Sequence, residues 1–208
     1  MPKLAFALEE GGEKRLEVLW KGLYKYKDIT VSLDGAQVGI IPDHKALLAG
    51  QEFQLIDRSI IRVQLVQKFE TKELQVFRNG QPLPGSSSDP QTRLKSAYQI
   101  VYFIAAFNII LGVVAFIYNS AALQRVGYGF SSVLVGLVYL TLGFFVQRKS
   151  NLALIVVIAL FIVDGLLAFY YSALRGSHVG GEMIMIRVLF LIPMFQGVGA
   201  IRTLKSKM

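Results

Sequence analysis

Four long apolar runs in the C-terminal half of the chain constrain its fold more than any other feature. They cover residues 97–118, 126–146, 152–174 and 183–201. Each meets the roughly 17–25 residues that a helix needs to cross a bilayer. The connections 119–125, 147–151 and 175–182 are short, so successive helices run antiparallel. Of the 22 Lys/Arg and 14 Asp/Glu in the chain, residues 97–208 hold only eight and two. Helices of a soluble bundle would carry a polar stripe at helical period. Here the polar residues are isolated points, and the expectation over 97–208 is an all-α four-helix transmembrane bundle.

Lys and Arg at the helix ends predict the orientation. Arg93, Lys95, Arg148, Lys149, Arg202, Lys205 and Lys207 fall on one side. Arg125 and Arg175 fall on the other, with Arg187 a little inside the fourth run. The excess of positive charge marks the cytoplasmic side, which places both termini there. The opening MPKLAFALEE has about five apolar residues before an acidic pair, too few for the core of a signal peptide.

Residues 1–83 mix both charge signs and alternate with period two, as half-buried strands do. Leu4/Phe6/Leu8, Leu16/Val18/Trp20, Ile29/Val31/Leu33, Val38/Ile40, Phe53/Leu55, Ile61/Val63/Leu65 and Leu74/Val76 predict seven strands. Asp34-Gly35 and Asn79-Gly80 are tight hairpin turns, because both central residues of such turns need positive φ. DHKALLAG (43–50) predicts a helical turn capped by Asp43 and stopped by Gly50. The fold expected for 1–83 is a soluble, cytoplasmic all-β sandwich or barrel. Trp20, the single tryptophan, is expected in its core. Residues 84–96 are a linker and the start of a juxtamembrane helix. Ser88 or Asp89 caps it and Pro90 takes its first position, where a missing N–H does no harm. That helix is expected to continue into the first span and join the two parts stiffly.

LEVLWKGLYKYKDITVSLDGAQVG, GQEFQL, IRVQL and LQVFRNGQPL together resemble the all-β repeat of the Fas apoptotic inhibitory molecule family, over about 65 of 208 residues. The resemblance implies a protein-binding module and carries over no catalytic residue. The four apolar runs have no counterpart in that family. GLVYLTLGFFVQRKSNLALIVV and FIVDGLLAFYY are similar to stretches of small bacterial membrane proteins, cyanobacterial ones among them. This similarity implies a bacterial inner membrane or a thylakoid membrane.

Asp164 in FIVDGLLAF stands out chemically. It lies about 15 Å from the outer end of the third run, at about 1.5 Å per residue. A carboxylate at that depth costs several kcal/mol unless it is neutral or paired, and proton and ion pathways use such groups. The other reading is a hydrogen bond to a neighbouring helix, with Asn108, Ser131 or Ser132 as partner. Arg187 could reach Asp164. However, side chains lean toward their own helix N-terminus, and the two helices run oppositely, so snorkelling to the outer headgroups is the expectation. Glu182 reads as its interfacial companion. Gly129, Gly136 and Gly143 recur every seven residues with Ser132 on the same face, a small-residue seam for close helix packing or, less simply, for a lipid or pigment. Pro193, beside Gln196, Gly197 and Gly199, weakens the fourth run and is a candidate hinge.

The residue inventory narrows the functional classes. The chain has no cysteine, hence no disulfide, thiolate site or cysteine nucleophile. Its two histidines, His44 and His178, fall on opposite sides of the membrane and read as solvated loop residues; no metal site or cofactor is expected. Phosphate loops, dinucleotide glycine fingerprints, HExxH and GxSxG are absent from the sequence. No concentrated basic patch points to nucleic acid. Tyr98, Tyr102, Tyr118, Tyr128, Tyr170 and Tyr171 sit near span ends, as an interfacial belt does. The expected function is non-enzymatic: a membrane-anchored interaction or scaffold protein. Its partners would be lipids, a protein bound by the β module, and further copies or a larger complex. The alternative is a small oligomeric channel or transporter that uses Asp164. A membrane enzyme ranks third.

Overall fold

The N-terminal strands follow the alternation and the turn chemistry. In the computed structural model, β1 (Lys3–Ala7), β2 (Lys14–Lys21), β3 (Lys27–Leu33) and β4 (Ala36–Ile41) pair antiparallel in that order. After α1 (His44–Ala49), β5 (Gln51–Gln54), β6 (Ile60–Lys68), β7 (Thr71–Arg78) and β8 (Gln81–Pro82) make a second antiparallel sheet, again in chain order. The short β8 raises the count from the expected seven strands to eight. The two strand orders close no barrel. The structure describes residues 2–22, 26–68, 71–120, 123–124, 128–174 and 181–206. His178, Arg125, Arg175 and Lys207 lie outside them.

Local residues account for the connections. Asp34 and Gly35 have φ of 52° and 81°, and Asn79 and Gly80 have 49° and 78°, so both expected tight turns form. The Asp43 carboxylate accepts the Ala46 N–H at 2.7 Å and caps α1; Gly50 ends it at φ 84°. Phe6, Val18, Ile29 and Val31 from the first sheet share one core with Ile61, Val63, Leu65 and Val76 from the second, and Trp20 is buried with them. β4 departs from the expected alternation. Opposite Val31–Ser32, β4 carries one extra residue, a bulge at Val38. It shifts the pleat by one, so Ile41 is buried and Ile40, expected inward, is 55% exposed. Gly39 then faces inward, where a Cβ would fall 2.2 Å from the Phe53 ring.

The chain divides into two compact units, Met1–Thr92 and Arg93–Met208. Helix α2 (Pro90–Ile117) starts at the expected proline. Asp89 caps it, taking the Gln91 N–H at 3.1 Å and the Thr92 hydroxyl at 2.9 Å. The second unit continues with α3 (Phe130–Gln147), α4 (Asn151–Leu174) and α5 (Gly181–Ser206). These four helices are long and apolar enough to cross a membrane, as expected of a membrane protein. The expected second run began at 126, but α3 begins at Phe130, after Gly129. Leu154, Val157, Tyr139, Val101 and Met194 form this unit's own core. Many of its other large apolar residues are exposed, Phe103, Phe116, Leu152 and Leu166 among them, a surface suited to lipid tails or other apolar partners.

Candidate functional site

Midway along α4, Phe161, Asp164 and Gly165 share one face, since residues three and four apart are neighbours on a helix. Arg187 of α5 lies across them. Its Nη2 donates to Asp164 Oδ2 at 3.0 Å, and its Nη1 donates to the Phe161 carbonyl at 3.4 Å. The guanidinium also sits 5.3 Å from the Phe161 ring centroid, within cation–π range. Gly165 makes this possible: a Cβ there would come within 3.1 Å of Nη1 and 3.5 Å of Cδ. Arg187 therefore does not snorkel outward as expected. The backward lean of its side chain is overcome because the missing Cβ of Gly165 opens a notch beside the carboxylate, and because an ion pair out of water outweighs one rotamer preference. The pair is not sealed inside the unit: Asp164 is 63% exposed and Arg187 28%.

The other intramembrane polar residues satisfy themselves locally. The Asn108 amide donates to the Ile104 carbonyl of its own helix at 2.9 Å rather than reaching Asp164. Ser132 accepts the Gly129 N–H at 3.4 Å, at the start of α3. The seam packs on α2. A Cβ on Gly136 would fall 2.6 Å from Ile109 and 2.9 Å from the Ala105 carbonyl, and one on Gly143 would fall 2.8 Å from the Tyr102 ring. A Cβ on Gly129 would meet nothing within 4 Å, but the Gly129 carbonyl lies 2.8 Å from where a Cβ on Gly112 of α2 would fall, so the close approach at that end rests on Gly112. Pro193 lies inside α5, which continues through it to Ser206, one N–H short of a full ladder.

The β unit holds features the sequence did not single out. Arg78, at the end of β7, donates to Asp57 Oδ2 at 2.7 Å, to the Ser59 hydroxyl at 3.2 Å and to the Leu8 carbonyl at 3.4 Å. Asp57 also takes the Ser59 N–H at 2.9 Å and its hydroxyl at 2.6 Å. These two Ser59 bonds, and then the Arg78 guanidinium, hold the Asp57 carboxyl down to about 2. The result is a fixed β5–β6 turn, closed by the Leu55 N–H to Ser59 carbonyl bond at 2.8 Å. Ile56 projects from it 97% exposed. The expected linker is equally ordered. Ser86 is buried and its hydroxyl accepts the Val76 N–H at 3.3 Å, while the Ser87 hydroxyl donates to the Leu74 carbonyl at 3.0 Å. His44 is half-buried rather than solvated, 6.5 Å from the Tyr26 ring, which stands 5.3 Å from that of Trp20. Burial pushes the Tyr26 phenol up.

The fold and these sites define a class: a two-sheet antiparallel β unit preceding four helices of membrane-spanning length. No family model, curated protein or solved structure matches the chain. Among the described residues, no three His, Cys, Asp or Glu side chains gather where a metal could bind.

Proposed function

We propose that this chain is a membrane-anchored interaction or scaffold protein that performs no catalysis. Its two sheets act as a cytoplasmic β-sandwich that binds a partner protein. Its four helices hold that module at a bacterial inner or thylakoid membrane, with both termini cytoplasmic. The observation that carries the reading is the β5–β6 turn. A β-branched apolar side chain, 97% exposed, stands on a loop already fixed by Asp57, Ser59 and Arg78. A rigid anchor loses little entropy when a partner covers it, which is what makes a good contact residue. Ile60, 45% exposed at the start of β6, is a second exposed apolar residue on the same hairpin. The resemblance of the strand region to the Fas apoptotic inhibitory molecule repeat points the same way.

The test is affinity purification of the full chain from detergent-solubilised native membranes, wild type beside Ile56→Asp and Ile40→Asp. The reading expects one partner at near-stoichiometric yield, lost with Ile56→Asp and kept with Ile40→Asp. No such partner with the wild type would end it. The channel or transporter reading draws on Asp164, and is separated by proteoliposome flux that Asp164→Asn abolishes.

A further inference from the structure

We infer that the Asp164–Arg187 pair is one half of a symmetric interface, covered in the membrane by the same pair of a second copy of this chain. The inference rests on the membrane-anchored reading but not on the identity of the β unit's partner. Asp164 stands ten residues from the end of α4 at Leu174, about 15 Å along the helix, and so near the middle of a hydrocarbon layer about 30 Å thick. Two opposite charges meet there at 3.0 Å, yet the carboxylate is 63% exposed on the unit's outer surface. Leu160 and Leu167, one turn to either side of it, are 39% and 50% exposed. Acyl tails offer no hydrogen bonds, so the free lone pairs of Asp164 and the remaining N–H groups of Arg187 stay unmet against lipid.

Charge pattern selects the occupant. A lipid phosphate would accept from Arg187 but repel Asp164. A lone cationic or anionic helix would satisfy one group and oppose the other. A second copy supplies both. Copies inserted in the same orientation relate by a two-fold axis along the membrane normal. That axis exchanges left and right, so an acid and a base side by side at one depth meet the partner's base and acid. The interface would therefore be a four-charge ring flanked by Leu160 and Leu167 from both copies, with Gly165 leaving room for the guanidinium.

The absence of cysteine in the chain makes the test direct. Single cysteines replace Leu160, Leu167 or, as control, Ile110, which is 59% exposed on α2. Full-length protein in native membrane vesicles is oxidised with copper phenanthroline and run on non-reducing gels. The expected result is a disulfide dimer from Leu160→Cys and Leu167→Cys and little from Ile110→Cys. In the Leu167→Cys background, Asp164→Asn should lower the cross-linked fraction about tenfold, the effect of roughly one strong charge-assisted contact. The exchange Asp164→Arg with Arg187→Asp should restore it. Equal cross-linking at Ile110→Cys, no cross-linking at all, or cross-linking to a different protein would overturn the inference. The wild-type charge pattern is read by the cysteines alone, so a charge variant that misfolds does not rescue it. A chain that captures its Ile56-dependent partner yet shows no dimer overturns this inference while leaving the proposed function standing.

Discussion

Arg78 is the residue on which the β unit's charges converge. Its guanidinium, 23% exposed, ties the β5–β6 turn to the end of β7 and to the backbone at Leu8, and lies 3.6 Å from Glu9. The pairing has a pH signature through Asp57. A carboxyl held at about 2 in the folded state, against about 3.9 unfolded, contributes stability that is fully present above the unfolded value. That stability is lost as pH falls from about 4 toward 2. The single tryptophan, buried in this unit's core, reports its unfolding alone. Urea titrations followed by Trp20 fluorescence should therefore show a midpoint flat above pH 5 that drops between pH 4 and 2. Asp57→Asn should flatten part of that acid limb and lower the midpoint at pH 7; an unchanged acid limb would show that Asp57 is not its source. Asp34, held down chiefly by its hydrogen bonds from Arg15, contributes in the same direction and accounts for limb that persists. Nothing in the sequence near Arg78 marks this role. The contacts are set by long-range strand pairing, with Leu8 seventy residues away in the chain.

Packing of α3 on α2 differs at each glycine of the seam, which yields a graded prediction. At Gly136 a new Cβ meets the backbone carbonyl of Ala105 and the branched Ile109, and neither can withdraw without moving a helix. At Gly143 it meets the edge of the Tyr102 ring, whose side chain can rotate, although its hydroxyl then loses its bond to the Gln147 side-chain Oε1 at 2.9 Å. At Gly129 it meets open space. Alanine at the three positions should destabilise the helical unit in the order Gly136, Gly143, Gly129, from about 1–3 kcal/mol of overpacking to near zero. Reversible SDS unfolding of reconstituted protein measures the order, and equal effects at all three would refute the packing account. What was legible before the structure follows from range. Caps at Asp43 and Asp89 and the two positive-φ turns are written in neighbouring residues, and they appear as expected. The bulge at Val38, the notch at Gly165 and the anchoring of Ser86 and Ser87 on β7 depend on what lies across the fold. For that reason Ile40 and Arg187 depart from what their own neighbours in the sequence suggest.

At the scale of the whole molecule, the proposed membrane topology draws on the exposed apolar surface of four long helices and on the placement of their end charges. α2 begins near Arg93 and Lys95, α3 ends at Gln147 beside Arg148 and Lys149, and α5 ends near Arg202 and Lys205. Antiparallel succession through a bilayer would put these three ends on one side. Opposite them stand the ends near Tyr118 and Leu174. Arg187, the remaining described cation of that half, is turned inward by Asp164 rather than held at the headgroups. In the proposed topology that pairing would remove a positive charge from the far interface and sharpen the asymmetry that insertion reads. Alkaline phosphatase fused after Asn119 should be active and a fluorescent protein fused after Ser206 should fluoresce, with the reverse fusions silent. Releasing the charge bias by Arg148→Glu with Lys149→Glu should leave the fold's spans intact but yield a mixed or inverted population. If the phosphatase were active after Ser206 in the unaltered chain, the cytoplasmic placement of the β unit, and with it the partner proposed for Ile56, would have to be given up.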